Sequence, residues 1–509
     1  MEDRVADKWM RLCYDPLLSE KCGKKLSELF SEHLRSLQKG EKEVQSWVEP
    51  AKNISKATEM LVEREGPSSA SFSENSDPEV VCLERFEKLI QACLEKSQGL
   101  HHPTCVGHQV PAVMPLAGWF DSMTSLTNQV QGVYEMGPWS VSVERAVLDS
   151  VAEVLGYQGS GFGALVTSGG SLANLTALLA ARKVRFPDVW SEGFSFAEKK
   201  PVVVVHRDAH YCVERAVGVM GLGTKQIIPV PLDADRRMSV SDLQRILEDL
   251  QEQQIPVLAV VSVAGSTATG AFDPLVEIAD VCRSHDVWLH VDAAHGGALR
   301  FSEKHCDLVS GLHLADSVVV DAHKMFFVPA VCAMLFFKNP EHKFAAFDQS
   351  APYLFDPSEP SLALYDNAVV TMECTKRASA LGLWGVWSMF GSEIFGHLVE
   401  CVMNRAFRLN ELLIQSSDFE SPIKPSCNIV VFRCCGVLLE GVAEHQVDEF
   451  HLRVRRELLE SGAGYLTQTK LDGQIYLRAT IMNPMIEEDD LENLLDQVRL
   501  AVSRVKRRW

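Results

Sequence analysis

Much that would announce a function is missing from this sequence. It has no run of about 18 apolar residues, and so no candidate for a membrane-crossing helix. Its first residues, Met-Glu-Asp-Arg-Val-Ala-Asp, lack the apolar core of a secretory signal. Positive charge is in deficit: 49 Lys and Arg stand against 68 Asp and Glu, a formal charge of −19. That balance argues against general binding to nucleic acid or to anionic membranes. No internal repeat of about 20–50 residues is visible, which excludes solenoids and propellers.

What is there is ordinary in bulk. The 509 residues, 46% hydrophobic and 23% charged, can bury a large core and fill two or three structural units. Fourteen cysteines without a secretory signal are expected to be free thiols in a reducing cytosol. Cys434 and Cys435 are adjacent and so poorly placed to bond each other. The stretch His101-His-Pro-Thr-Cys-Val-Gly-His108 suggests a metal, but its spacing is poor for zinc and no second ligand pair is near. The expectation is pocket lining or loop structure, with no metal site.

The first 66 residues read as helical with polar gaps, and a further helix is expected from about Pro78 to Lys96. From Ala164 onward, strand and helix signals alternate. Short apolar runs at Pro201–His206, Val257–Val263, Val287–Asp292, Ser317–Val320 and Val331–Phe337 are separated by amphipathic stretches. This alternation predicts a mostly parallel sheet covered by helices on both faces. Ligands in such sheets bind beyond the carboxyl ends of the strands. His210, Thr267, Asp292 and Lys324 all follow apolar runs and could share one crevice. The basic end, Arg504-Val-Lys-Arg-Arg508, suits a helix C-terminus and reads as a solvated surface.

Three stretches carry chemistry. Ser317-Val-Val-Val-Asp-Ala-His-Lys-Met325 ends a buried run in a lysine, whose desolvated amine can attack a carbonyl and form a Schiff base. A surface lysine just past a strand is the plain alternative. Trp288-Leu-His-Val-Asp-Ala-Ala-His295 supplies an acid. Thr167-Ser-Gly-Gly-Ser171 opens a helix and offers backbone N–H groups and a hydroxyl to a phosphate, or is only a tight turn with a serine cap.

Together with Gly270-Ala-Phe-Asp-Pro274 and Leu477-Arg478, these stretches resemble the group II pyridoxal-phosphate-dependent amino-acid decarboxylases, from about His102 to Pro484. That family includes enzymes acting on glutamate, cysteine sulfinate, diaminobutyrate and aromatic amino acids. The resemblance implies an α/β chain with a type I aminotransferase-like fold: a mostly parallel central sheet, an N-terminal helical segment and a C-terminal α+β domain. It implies a homodimer and the divisions 1–106 (helical, dimer-packing), 107–381 (large, cofactor-binding) and 382–509 (small).

By the same resemblance, Lys324 would hold pyridoxal 5'-phosphate through its amine and Asp292 would pair with the ring nitrogen. His210 would stack on the ring, and Gly170, Ser171 and His323 would lie at the phosphate. Thr267 and Ala294 would line the cofactor. Arg478 would orient the substrate carboxylate side, and Tyr353, on a Pro-rich loop, would protonate the α-carbon. Two positions depart from relatives: Asp321, where some have Asn, and His295, where they have Trp or Tyr.

His108 and Gln109 are polar where aromatic decarboxylases present aromatics, which points to a small polar amino acid. The expected activity is thus decarboxylation of such an amino acid to its amine and carbon dioxide in the cytoplasm. Aldehyde-forming oxidative deamination and a catalytically silent regulatory homologue are the alternatives.

Overall fold

The computed structural model describes residues 10–61, 77–159, 161–194, 199–347 and 362–509. They group into two compact units.

The first unit comprises Met1–Gly107, Val437–Gln468 and Met485–Trp509. Two of its helices, Pro16–Gln38 and Pro78–Lys96, pack on each other. Each starts at an Asp-Pro pair: Asp15 and Asp77 accept backbone N–H groups of the first turn, and the proline fills a position that needs no donor. Lys21–Glu79 and Lys25–Glu87 ion pairs link them. A second pair, Val447–Glu460 and Glu488–Lys506, also packs together. The basic C-terminal run is tied down as well as solvated, because Arg504 and Arg508 both reach Glu457, at 3.7 and 2.9 Å. Sequence reasoning missed this because Glu457 sits on the neighbouring helix.

The second unit, His108–Gly436 with Thr469–Pro484, holds a seven-stranded sheet. Its strands are β1 (Gly163–Thr167), β2 (Val202–His206), β3 (Ile227–Val230), β4 (Val257–Val263), β5 (Leu289–Asp292), β6 (Ser317–Asp321) and β7 (Ala333–Phe337). The order is β1-β7-β6-β5-β4-β2-β3. From β6 through β5, β4 and β2 to β3 every pairing is parallel. β7 runs antiparallel to both β6 and β1, because no crossover helix separates it from β6. The valine runs of β2, β4 and β6 are buried along their whole length, as strands covered on both faces must be.

The helix Gly170–Arg185 lies on this sheet through Ala173, Ala177, Ala180 and Ala181, all fully buried, whose small side chains bring the helix close. A smaller sheet has the order β10-β11-β9-β8, with β8 (Phe419–Glu420), β9 (Ile429–Cys434), β10 (Thr467–Leu471) and β11 (Gln474–Thr480). Arg478 of β11 pairs with Val431 of β9.

Candidate active site

The parallel strands end together, and the chemistry-bearing residues stand at those ends. Val263 of β4 is registered with Asp292 of β5, and Asp292 with Val319 of β6. Asp292 is therefore the last residue of a buried strand. Its Oδ1 accepts the Ala294 N–H at 3.1 Å, which fixes the carboxylate and the turn behind it.

Lys324 lies in the turn that leaves β6, with its N–H donating to the Asp321 carbonyl at 3.1 Å. Its side chain is 20% exposed, and Nζ stands 3.3 Å from Oδ2 of Asp321. His323 beside it is held by the chain returning toward β7: its Nδ1 lies 2.9 Å from the Cys332 carbonyl and 3.2 Å from the Cys332 N–H. Its Nε2 lies 3.6 Å from Asp321.

His210 caps the helix Tyr211–Val219, its Nδ1 accepting the Cys212 N–H at 3.3 Å. Burial lowers the basicity of this ring, Lys324 lowers it further, and Asp292 works the other way. His210 is thus close enough to Asp292 and Lys324 to feel both charges.

The loop between β4 and the helix Leu275–Ser284 is pinned by Asp273, from the Gly270–Pro274 motif. Its carboxylate accepts from Met238 N (2.7 Å), Val263 N (2.8 Å) and Ser262 Oγ (2.9 Å). Gly270 has φ +78°, and a Cβ there would strike Cys427 Sγ at 2.3 Å, so the motif needs glycine. Thr267 sits half-buried on the loop so fixed.

The helix start at Gly170 has no side-chain cap, and Gly169 before it has φ +111°. Ser171 is exposed at this end. An uncapped helix start with a nearby hydroxyl suits a phosphate. The helix is anchored from within: Asn174 donates to the Gly170 carbonyl (2.9 Å), and its Oδ1 meets His290 Nε2 at 2.8 Å. His290 Nδ1 in turn contacts Ser317 Oγ at 2.8 Å. Burial pushes His290 down to about 4, so the ring is neutral at pH 7.

Arg478 is 5% exposed, and burial pushes its guanidinium down to about 10. His295 feels the charges of both Arg478 and Lys324, so the small sheet and the Lys324 turn converge around it. The chain 108–114 runs between them, with Ala112 N donating to Met482 O and Met114 N to Phe327 O, both at 2.9 Å. On that segment His108 is exposed and Gln109 half-buried. Among the described residues the Gln109 Nε2 has no hydrogen-bond partner. Tyr353 lies outside the described residues.

Sequence reasoning missed the supports. Lys376 is buried and bonds Glu144 at 2.6 Å and the Val166 carbonyl at 3.0 Å, holding the strand that leads into the Gly170 turn. A basic residue in a mostly polar stretch gave no signal of burial. Among the described residues, no group of three or more His, Cys, Asp or Glu could hold a metal ion. None of their helices is long and apolar enough to cross a membrane.

The chain is similar to known proteins over most of its length. The pyridoxal-dependent decarboxylase conserved domain matches residues 67–435. An L-2,4-diaminobutyrate decarboxylase of Acinetobacter baumannii is 28% identical over 433 residues, covering 83% of this chain and 84% of that one. One from Rhizobium meliloti is 32% identical over 408 residues, covering 80% and 79%. In fold, the crystal structure of mouse CSAD in apo form superposes with a TM-score of 0.84 at 23% identity, covering 96% of this chain and 99% of that one. Asp292 ends a parallel strand, Lys324 lies in the turn after the next one, and the helix that starts at Gly170 has no side-chain cap. The chain belongs to the pyridoxal-dependent decarboxylases, and its reaction is the pyridoxal-phosphate-dependent decarboxylation of an amino acid.

Proposed function

We propose that the substrate is a small L-amino acid with a polar distal group, α-decarboxylated to its amine. The observation that carries this reading is Gln109. Its amide nitrogen is buried and without a partner among the described residues, on a segment bonded to both the Lys324 turn and the chain after β11. A large aromatic substrate would leave that donor unpaired, at a cost of about 1–3 kcal/mol, whereas a polar group could accept from it. Both diaminobutyrate decarboxylases above act on a molecule of that class.

The residues fit the cofactor. Bound pyridoxal phosphate supplies a ring that accepts the electron pair left when the α-carboxylate departs as carbon dioxide. Lys324 would hold the cofactor through its amine. Asp292, fixed by the Ala294 N–H, holds the proton on the ring nitrogen. His210 would cover one face of the ring, and Thr267 and Ala294 would border it. Gly170 and Ser171, with His323 beside them, receive the phosphate. Arg478 orients the substrate's carboxylate side, with His108 and Gln109 at its distal end. Tyr353 delivers a proton to the α-carbon, a role assigned from the sequence alone.

An exposed apolar face supports a homodimer. Leu116, Trp119, Met123, Trp139, Met389 and Phe390 are all solvent-exposed on three helices of the second unit, where Leu381–Phe390 packs on both Pro115–Leu126 and Pro138–Leu155. Such a face is expected to be covered by a second copy. The fourteen cysteines are all free, which supports a reducing, cytoplasmic setting.

The test is to incubate the full chain with pyridoxal phosphate and single L-amino acids, and to quantify amine by mass. The panel holds diaminobutyrate, aspartate, glutamate, cysteine sulfinate, ornithine, histidine, tyrosine and tryptophan. Amine from a small polar member supports the reading, and amine from tyrosine or tryptophan alone overturns it.

A further inference from the structure

Asp321 is the one carboxylate at the strand ends to which the proposed chemistry gives no task. It is the last residue of β6 and is 3% exposed. Its Oδ2 stands 3.3 Å from Lys324 Nζ and 3.6 Å from His323 Nε2. Among the described residues its Oδ1 has no hydrogen-bond partner. Its carboxyl lies against the helix start: a Cβ added at Gly170 would be 2.7 and 2.8 Å from its two oxygens. A buried carboxylate thus stands at the helix end that must receive a phosphate dianion.

Two anions on one helix end cannot both be accommodated cheaply. Each raises the proton affinity of the other, and burial weakens the screening between them. The groups facing Asp321 are few. Lys324 and His323 from its own turn stabilise the anion, and Asp292 from β5 opposes it. His210 and Cys212, at the start of the helix Tyr211–Val219, and Cys332, before β7, also feel its charge. The first turn of the helix Gly170–Arg185 brings no acidic side chain. Burial is the largest influence and raises the proton affinity of this carboxyl.

We propose that Asp321 couples cofactor docking to proton uptake, its carboxylate becoming a neutral acid as the phosphate settles on the Gly170 helix end. The proton comes from solvent, one O–H bond forms on the carboxyl, and no bond in the cofactor breaks. The neutral acid gains a donor, so a group that repelled the phosphate can hydrogen-bond it. Lys324 loses its nearest anionic partner in the same event, which frees its amine for the carbonyl. Cofactor affinity then falls as the pH rises. This inference rests on the reading that Gly170 and Ser171 hold the phosphate.

The test uses the full chain freed of cofactor and two probes that cannot bond to Lys324: pyridoxine 5'-phosphate, and pyridoxine, which lacks the phosphate. Calorimetry near pH 8, in two buffers of different ionisation heat, counts the protons taken up on binding. We expect pyridoxine 5'-phosphate to take up roughly one proton more than pyridoxine. Its affinity should fall roughly tenfold per pH unit where that uptake holds. In Asp321→Asn the extra proton and the pH dependence should both vanish.

An infrared difference spectrum of the unmutated chain gives the same answer without relying on a variant. A protonated-carboxyl band should appear with pyridoxine 5'-phosphate and be absent with pyridoxine. Equal proton uptake for both probes, or the same extra proton in Asp321→Asn, overturns the proposal while leaving the phosphate site intact. If pyridoxine 5'-phosphate binds no more tightly than pyridoxine to either Asp321→Asn or the unmutated chain, the phosphate reading fails and takes this proposal with it.

Discussion

His295 Nε2 lies 2.7 Å from Oδ1 of Asn428, and both side chains are buried. Asn428 uses its amide nitrogen to donate to the Ile481 carbonyl at 2.8 Å, so its Oδ1 accepts and His295 Nε2 carries the proton. This bond joins the turn after Asp292 to the residue that precedes β9, an inner strand of the small sheet. Asn428→Ala would leave the imidazole N–H buried and unpaired. We expect it to destabilise the fold by about 1–3 kcal/mol, read as a lower midpoint of urea unfolding. An unchanged midpoint would contradict the assignment.

The same ring makes stability depend on pH. Burial pushes His295 down to about 3 and His290 down to about 4. Both lie below the unfolded imidazole value of about 6.5. As pH falls, the unfolded chain therefore binds protons before the folded chain does. The stability from keeping these rings neutral is complete above about pH 6.5 and is lost toward about pH 4 for His290 and about pH 3 for His295, at up to roughly 1.4 kcal/mol per pH unit for each ring. His295→Gln should remove one ring's share, so urea unfolding across that range should show a shallower slope. An identical slope would contradict this.

Gly170 tests the approach of helix to strand. Because a Cβ there would come within 2.8 Å of both Asp321 oxygens, Gly170→Ala must push the helix start from β6. We expect cofactor affinity to fall at least roughly tenfold, consistent with an overpacking cost of about 1–3 kcal/mol. Adding Asp321→Ala should restore part of it. Absorbance titration with pyridoxal phosphate measures both.

The buried Lys376–Glu144 pair predicts strong non-additivity. Lys376→Met alone leaves a carboxylate buried without its cation and should cost about 3–5 kcal/mol in urea unfolding. Lys376→Met with Glu144→Leu should recover most of that loss. Additive losses would show that the two residues act separately.

How much of this was legible follows from where each signal lives. Lys324, Asp292 and His210 each follow a run of apolar residues, so local pattern alone placed them at strand ends. The direction of β7 was not legible, since an apolar run says nothing about which way it pairs. The partners of buried polar residues were also hidden. Asn428 is 133 residues from His295, and Glu144 is 232 from Lys376. Glu144 sits beside Val143 and Val147, in a helix whose apolar stripe drew attention away from it. Asp321 stood out in the sequence, but only its approach to Gly170 gives it a task.

The most direct measurement compares the unmutated chain with Lys324→Ala, both given pyridoxal phosphate and the amino-acid panel, with carbon dioxide and amine quantified together. The account predicts equal amounts of both products from at least one small polar amino acid, and none from Lys324→Ala despite an unchanged circular dichroism spectrum. Full amine production by Lys324→Ala, or cofactor-loaded unmutated protein that releases no carbon dioxide from any member, would contradict it.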